Sequence, residues 1–216
     1  MFSLQNTILP SLFPYQCVGC KQYDTVLCSV CALDALDSEH LVLPFSSPIY
    51  SITTLGEYKH PVWKTAVKQL KFSGIQELAQ PLGQLLAGVL CTALYLSDTP
   101  YIVPIPLHSK RIRERGYNQT ERIATALGNI TGWPVLTTII ERTLYAQPQS
   151  SLEHSIREQN IAGAYTLCTN APSIQNQTII LIDDVITTGS TLLEVGRVLQ
   201  GVKPARIYGA AIARGG

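Results

Sequence analysis

The feature that most constrains the fold is an uninterrupted apolar run near residue 180. The segment 178–183, TIILID, is too apolar to leave either of its faces in water. A strand buried on both faces is typical of a parallel sheet that helices cover on each side. The run therefore predicts an interior parallel strand.

Strand-like and helix-like segments alternate over most of the chain. Short β-branched and aromatic runs bounded by turn residues predict strands, and apolar residues spaced by three and four predict helices. Pro61 suits the first position of a helix. The alternation predicts an α/β fold with a mainly parallel sheet flanked by helices. The predicted strands are Tyr50–Tyr58, 101–107, 134–140, 178–183 and 206–213, and the predicted helices are 61–72, 78–97, 118–130 and 190–200, the last ended by Gly201, with a polar helix or ordered loop at 151–162.

The segment 78–97 carries no charge and is long enough to span a bilayer. Its large apolar residues nevertheless fall at helical spacings, and Gln80 and Gln84 interrupt its apolar character. We therefore expect a buried amphipathic helix and no membrane span. The first residues lack the basic region of a secretory signal, so the sequence predicts a cytoplasmic location.

Composition limits the functional classes that are open to the chain. Apolar residues make up 46% of its 216 residues, and charged residues make up 14%, which is enough apolar material for a sizeable core. The net charge is only +1. A basic protein that coats nucleic acid is thereby excluded, and any site for a polyanion must be local.

Four of the six cysteines form two C-x-x-C pairs near the start of the chain. Two such pairs allow four thiolates to converge on one tetrahedral ion, and Zn²⁺ is the usual choice. Full cysteine coordination leaves no open position for water, so we expect a structural zinc ion in a compact, double-knuckle-like segment at 1–48. Two disulfides are the alternative. The predicted ligands are Cys17, Cys20, Cys28 and Cys31; the isolated Cys91 and Cys168 are expected to be buried.

The predicted strand 178–183 leads into two aspartates and a loop of small and hydroxylated residues. Thr187–Thr191, TTGST, would open a helix, and its free N–H groups and hydroxyls suit one phosphate group. Val185 would anchor the turn. Asp183 and Asp184 are hydrogen-bond acceptors, which suits the hydroxyls of a sugar next to that phosphate. They could also stabilise positive charge that develops during a reaction.

The string IILIDDVITTGST, at 179–191, resembles the phosphoribosyl pyrophosphate (PRPP) signature of type I phosphoribosyltransferases. The wider pattern resembles the ComF/GntX family of competence-related proteins. It includes the cysteine quartet, LKFSG at 70–74, VPIPLHSKRIRERGYNQ at 103–119 and QPQSSLEHSIREQNIAGAY at 147–165. The resemblance implies that 49–216 is a phosphoribosyltransferase-like domain.

The resemblance also implies roles for particular residues. Asp183 and Asp184 would contact ribose hydroxyls and act as catalytic residues, and the loop with Val185, Thr187, Thr188, Gly189, Ser190 and Thr191 would hold the 5′-phosphate. PRPP would bind with Mg²⁺, and its pyrophosphate would need basic contacts. The candidates for those contacts are Lys71, Arg113 and Arg115. By the same resemblance, the segment 147–160 would close over PRPP as a lid.

Two functions follow from the resemblance. The first is a phosphoribosyltransferase that takes part in DNA uptake, natural transformation or the use of external DNA. The second is a non-catalytic accessory protein that binds nucleotides or single-stranded DNA on the same fold. Trp63, Tyr117 and Tyr145 are candidates for stacking on bases, and the zinc segment is a candidate surface for DNA-uptake or DNA-processing proteins.

Overall fold

The interior strand that the sequence predicts is present, and it belongs to a five-stranded sheet. The computed structural model describes residues 14–144 and 161–215. The strands are β1 (Glu39–Val42), β2 (Ser51–Thr54), β3 (Tyr101–Pro104), β4 (Ile140–Arg142), β5 (Tyr165–Leu167), β6 (Thr178–Ile186) and β7 (Arg206–Arg214). The main sheet has the order β1-β2-β7-β6-β3, in which β1 alone is antiparallel, and β4 and β5 form a separate antiparallel pair.

Helices flank the main sheet, as the α/β interpretation requires. They are α1 (Ser29–Asp34), α2 (Pro61–Lys68), α3 (Ala79–Ala93), α4 (Ser109–Arg115), α5 (Gln119–Thr131) and α6 (Ser190–Leu199), with a π-helix at Gln69–Ser73 and 3₁₀ turns at Gln76–Leu78 and Gln200–Val202. Pro61 is the first residue of α2, as predicted. The fold class is confirmed.

Strand β6 shows why its sequence is apolar throughout. Side chains alternate between the two faces of a strand. Ile180 and Ile182 pack into the core under α2, α3 and α5, whereas Ile179 and Leu181 pack into the core under α6 and the β4–β5 pair. All four are fully buried, so β6 is covered on both faces.

The charge-free segment 78–97 forms α3 and lies against α5, as expected. The Cα atom of Gly83 lies so close to α5 that a Cβ there would stand 2.7 Å from Cβ of Ala126. Within 14–144 and 161–215, no helix has the length and apolarity that a membrane crossing needs.

Three sequence predictions are wrong. The segment 134–140 is not a strand: only Val135 bridges to β3, and β4 begins at Ile140. Pro134 has no N–H to donate to a ladder, which limits the pairing there. Helix α6 ends at Leu199 rather than at Gly201, and Gly201 lies within the 3₁₀ turn Gln200–Val202 that follows. Cys91 is exposed and Cys168 is half-buried, since neither faces the centre of a core.

The cysteine-rich segment packs against α2. Val18, Leu27 and Ala35 share one core with Trp63, and the Trp63 indole N–H donates to the Ala35 carbonyl at 2.8 Å. Strand β1 lies inside the predicted segment 1–48, yet it pairs with β2 of the main sheet. A domain boundary at residue 48 stays a prediction.

Candidate functional site

An open cavity lies where β3 ends beside β6. Pairing between the two strands stops at Pro104 and Ile182, and the Ile105 N–H makes the last hydrogen bond to the Ile182 carbonyl. Beyond that point β6 continues with only β7 beside it. The gap is a cavity of about 380 Å³, which is within the usual range for small-molecule sites.

Asp183 and Asp184 both line this cavity, and they lie within β6 rather than after it. Because they are neighbours in a strand, their side chains point to opposite faces of the sheet. Asp184 is on the face of α5, and Asp183 is on the face of the β4–β5 pair. The sequence pattern did not show this difference between the two carboxylates.

The Asp184 carboxylate is bound from two sides. Lys71 Nζ lies 2.7 Å from its Oδ1, and Gln119 Nε2 donates to its Oδ2 at 2.5 Å. Asp184 is only 4% exposed, so these contacts replace the water that an ionised carboxylate would otherwise hold. The side chains from α5 and the π-helix therefore fix the position of Asp184.

Asp183 has a different environment. Its Oδ1 accepts the backbone N–H of Asp184 at 2.8 Å. Burial, and then the neighbouring charge of Asp184, raise the pKa of Asp183 to about 7, although the charges of Lys71 and Arg142 act in the opposite direction. A carboxyl group with such a pKa exchanges its proton near neutral pH, which is common in functional sites.

The predicted phosphate loop joins β6 to α6. Gly189 precedes the first residue of α6 and has φ of 77°, a left-handed conformation that glycine adopts without strain. Thr188 Oγ1 accepts the N–H of Ser190 at 3.3 Å and lies 2.8 Å from its hydroxyl. Thr187 and Thr188 are exposed, and Val185 and Thr191 line the cavity. The loop therefore offers hydroxyls and the first N–H groups of a helix next to Asp183 and Asp184.

The basic candidates divide into two groups. Lys71 and Arg115 line the cavity, whereas Arg113 is exposed on α4 and is not part of the lining. Arg111, from the same basic block, also lines it. The four-residue spacing between Arg111 and Arg115 would have indicated a shared face of α4, had that helix been predicted.

The sequence analysis missed Arg142. It lies at the end of β4, and its guanidinium carbon is 5.4 Å from the centre of the Tyr165 ring on β5. Its Nε is buried and has no hydrogen-bond partner among the residues that the structure describes. Both residues line the cavity. No sequence signal marked Arg142, because only the pairing of β4 with β5 brings it there.

Two of the three proposed stacking aromatics, Trp63 and Tyr117, are buried. Trp63 is fully buried, and the buried Tyr117 hydroxyl donates to the Leu70 carbonyl. Both predictions are wrong, because each ring completes the core between α2 and its neighbours. Tyr145 and the predicted lid at 147–160 lie outside the described residues. The exposed aromatic residue at this site is Phe72, which the sequence analysis did not select.

The four predicted metal ligands meet at one point. Their sulfur atoms all lie within 4.8 Å of one another, with 3.6 Å from Cys17 to Cys28 and 3.7 Å from Cys20 to Cys28. Four sulfur atoms at about 2.3 Å from a tetrahedral zinc ion lie about 3.8 Å apart, so the cluster fits such an ion. The cysteines can hold a metal such as zinc. All four are free thiols, which agrees with the metal prediction rather than with the two disulfides.

Backbone geometry supports the thiolate form of the cluster. The Cys28 and Cys31 N–H groups donate to the sulfur atoms of Cys17 and Cys28, each at 3.4 Å. Burial opposes ionisation of Cys17, but backbone N–H groups outweigh it and lower its pKa to about 6. Hydrogen bonding to Cys28, with burial, raises the pKa of Cys31 to about 12. A bound metal cation would favour the ionised form of Cys31 beside that of Cys17.

The chain is similar in sequence to a known domain family and to characterised bacterial proteins. A family model for the phosphoribosyl transferase domain matches residues 112–216. DNA utilization protein YhgH of Escherichia coli (strain K12) is 31% identical over 192 residues, covering 85% of this chain and 82% of that protein. Competence protein F of Haemophilus influenzae is 28% identical over 208 residues, covering 93% and 86% of the two chains.

The chain also shows structural similarity to solved phosphoribosyltransferases. The hypoxanthine-guanine phosphoribosyl transferase of L. donovani aligns with a TM-score of 0.37 and 19% identity, covering 63% of this chain and 67% of that one.

Proposed function

Because the chain belongs to the ComF family of proteins with a phosphoribosyltransferase domain, we propose that its cavity binds PRPP and that the protein serves DNA uptake or utilization. One observation supports the ligand above all. Two carboxylates at the open end of β6 stand next to a loop of hydroxyls and helix N–H groups. This juxtaposition suits a sugar that carries a phosphate.

In this proposal the 5′-phosphate lies in the loop Thr187–Thr191. Gly189 allows the chain to turn so that the N–H groups at the start of α6 face the phosphate. No lysine belongs to the loop, so neutral donors and the helix dipole balance the phosphate charge. That arrangement suits a single phosphate group better than a triphosphate.

The ribose would lie over Asp183 and Asp184. Asp183 accepts hydrogen bonds from ribose hydroxyls when it is ionised. Asp184 keeps its contacts with Lys71 and Gln119 and contributes negative charge below the sugar. Asp183 also offers the carboxylate oxygen that Mg²⁺ prefers as a ligand. Mg²⁺ that arrives with PRPP would offset the charge of the pyrophosphate.

The pyrophosphate would face the basic side of the cavity. Lys71, Arg115 and Arg142 present cationic side chains there, and arginine suits phosphate oxygens because its donors form a planar fork. Arg113 is a weaker candidate, since it lies outside the lining. The cavity thus combines cations for the leaving group with carboxylates for the sugar.

The reaction would be transfer of the phosphoribosyl group. The bond between ribose C1 and the pyrophosphate oxygen breaks, and the pyrophosphate leaves with the electron pair. A nitrogen nucleophile then forms the new bond to C1 and loses a proton. Positive charge develops on the sugar in between, and the two aspartates stabilise it. Positioning and charge account for the catalysis.

Binding of PRPP tests the proposal directly. Calorimetry with and without Mg²⁺ should show saturable binding to the native protein and much weaker binding to Asp183→Asn/Asp184→Asn. Release of pyrophosphate in the presence of bases and amines then tests for catalysis. If PRPP neither binds nor stabilises the native protein, the proposal is rejected.

A second candidate function is supported by the basic mouth of the cavity. Lys71 and Arg115 lie beside the exposed Phe72, a combination that suits single-stranded DNA held without catalysis. A salt titration of labelled single-stranded DNA tests this candidate. We expect affinity to fall steeply as salt rises, and more steeply for the native protein than for Arg115→Gln.

We also propose that the metal in the cysteine cluster is zinc with a structural role. The cluster lies next to the core around Trp63, and none of the other metal-binding side chains in the described parts of the chain joins it. Cys20→Ser should lose the metal and Cys91→Ser should keep it, as metal analysis of the purified proteins would show. Equal metal content in both variants would reject the assignment.

A further inference from the structure

An exposed aromatic ring stands at the mouth of the cavity. Phe72 is 75% exposed, yet it lines the same cavity as Asp183 and Asp184 and a neighbouring depression with Arg111 and Arg115. Exposing the apolar surface of such a ring to water is energetically unfavourable. A large exposed side chain at a polar cavity therefore requires an explanation that a scattered surface residue would not need.

The local backbone explains how the ring reaches this position. Helix α2 continues into the π-helix at Gln69–Ser73, which ends at Gly74 with φ of 71°. The wider π-helical turn is rare in proteins, and where it occurs it is often found at functional sites. It directs Lys71 inward to Asp184 and leaves its neighbour Phe72 outside. The buried Tyr117 hydroxyl donates to the Leu70 carbonyl and holds this segment in place.

A continuous set of contacts joins the ring to the acidic pair. The Arg115 guanidinium carbon lies 5.4 Å from the centre of the Phe72 ring, within the distance of a cation–π contact. Arg115 also donates to Gln119, which in turn donates to Asp184. The ring is therefore held in a fixed relation to the carboxylates that would bind the ribose.

We infer that Phe72 is the stacking platform for a nucleobase attached to, or about to be attached to, the ribose in the cavity. This inference rests on the proposed binding of a ribose 5-phosphate group. With the 5′-phosphate in the loop after β6, C1 of the sugar would face the opposite rim of the cavity, where Phe72 of the π-helix lies beside Arg115 of α4. A nucleobase is flat and apolar on its faces, so it can cover the exposed ring while its edges stay in water.

The contribution of the base is measured by comparing two ligands. Adenosine 5′-monophosphate (AMP) carries adenine at C1, where ribose 5-phosphate carries a hydroxyl group, so the ratio of their affinities measures the contribution of the base in place of that hydroxyl. Stacking of a base on an aromatic side chain is typically worth a factor of about five or more in affinity. Calorimetry on the full chain with its metal gives the ratio for the native protein, for Phe72→Leu and for Phe72→Tyr. Phe45→Leu is the matched control, because Phe45 is fully exposed and does not line the cavity.

We expect the native protein to bind AMP at least about fivefold more tightly than ribose 5-phosphate. The ratio should fall toward one in Phe72→Leu, and it should persist in Phe72→Tyr and Phe45→Leu. Repeating the measurement with a short 5′-phosphorylated single-stranded oligonucleotide shows whether the base comes from DNA or from a free nucleotide. The same dependence on Phe72 with the oligonucleotide identifies DNA as a source.

The two levels of the proposal fail in different ways. If ribose 5-phosphate and AMP bind equally well to the native protein, or if Phe72→Leu keeps the native ratio, the platform is overturned while the sugar-phosphate site stands. If ribose 5-phosphate, PRPP and AMP all fail to bind, the proposed function falls and the platform with it.

Discussion

Lys71 Nζ lies 2.7 Å from Asp184 Oδ1, and this ion pair joins the middle of the π-helix to the last part of the strand β6. The Lys71 side chain is 24% exposed and that of Asp184 is 5% exposed. The pair therefore lies at the boundary between the core and the cavity. Lys71 offsets part of the Asp184 charge and lowers the pKa of Asp183, whereas burial and the Asp184 charge raise that pKa to about 7.

Replacing Lys71 should destabilise the protein. Lys71→Met leaves Gln119 as the side-chain hydrogen-bond partner of the Asp184 carboxylate. We expect the free energy of unfolding to fall by roughly 1–3 kcal/mol, less than for a fully buried pair because Lys71 retains some water. Urea unfolding measures the change. Lys68 is exposed and lies one turn earlier, so Lys68→Met should have little effect on the free energy of unfolding. If the stability lost in the double variant Lys71→Met/Asp184→Asn equals the sum of the losses in the two single variants, the two side chains do not stabilise each other and the prediction is contradicted.

The pKa of Asp183 predicts a particular dependence of stability on pH. The folded-state pKa, about 7, is above the ordinary aspartate value of 3.8, so between these two pH values the folded state holds a proton that the unfolded state has lost. The free energy of unfolding should therefore fall as pH rises through this window, by at most about 4 kcal/mol from Asp183. Asp183→Asn should remove this part of the slope in urea unfolding from pH 5 to pH 8. Asp37 is exposed, so Asp37→Asn is the control. If stability depends on pH in Asp183→Asn as it does in that control and in the native protein, the raised pKa of Asp183 is contradicted.

The same titration should affect ligand binding in the opposite direction. Ionised Asp183 accepts hydroxyl hydrogen bonds and binds Mg²⁺, whereas the protonated form does so poorly. The affinity for PRPP with Mg²⁺ should therefore increase as pH rises from about 6 to about 8. Calorimetry should show this increase in the native protein and its absence in Asp183→Asn. Affinity that is independent of pH in the native protein would exclude Asp183 as a direct contact.

The sequence was sufficient to predict the interior strand β6 and the acidic pair at its end. The run 178–183 could only be buried, and the position of the loop Thr187–Thr191 followed from it. The cysteine spacing predicted a cluster, and the four sulfur atoms meet. These features depend on local chemistry that a single segment carries.

Features that depend on how distant segments pack could not be predicted. The opposite orientation of Asp183 and Asp184 required knowing that β6 continues past its neighbour β3. Arg142 reaches the cavity only because β4 pairs with β5 across the segment between them. The sequence alone does not distinguish Phe72 from a core residue, because its exposure depends on the geometry of the π-helix.

Arg142 and Arg113 provide a direct comparison between geometry and sequence pattern. Arg142 lines the cavity, and its Nε has no hydrogen-bond partner within 14–144 and 161–215, whereas Arg113 lies outside the lining. Arg142→Gln should weaken pyrophosphate and PRPP binding by about tenfold, a typical loss for one charged hydrogen bond. Arg113→Gln should change it less than about twofold. Calorimetry with inorganic pyrophosphate measures both, and a larger loss in Arg113→Gln would show that the basic block, not the β4–β5 pair, binds the anion.

Gly19 tests the metal centre without removing a ligand. A Cβ at this position would stand 2.6 Å from Cys31 Sγ and 2.8 Å from Cys31 Cβ, so Gly19→Ala must displace a ligand of the cluster. We expect the native protein to hold close to one zinc ion per chain, and Gly19→Ala to lose it more readily to a chelator and to unfold at a lower temperature. Gly88→Ala in α3 is the matched control, because its Cβ would meet open space; helix propensity should make it neutral or more stable by about 0.5–1 kcal/mol. Metal analysis after chelator competition and thermal unfolding give both results. Native zinc retention in Gly19→Ala would mean that the segment around Cys17 and Cys20 moves to accommodate the methyl group, which contradicts a rigid cluster anchored on Trp63.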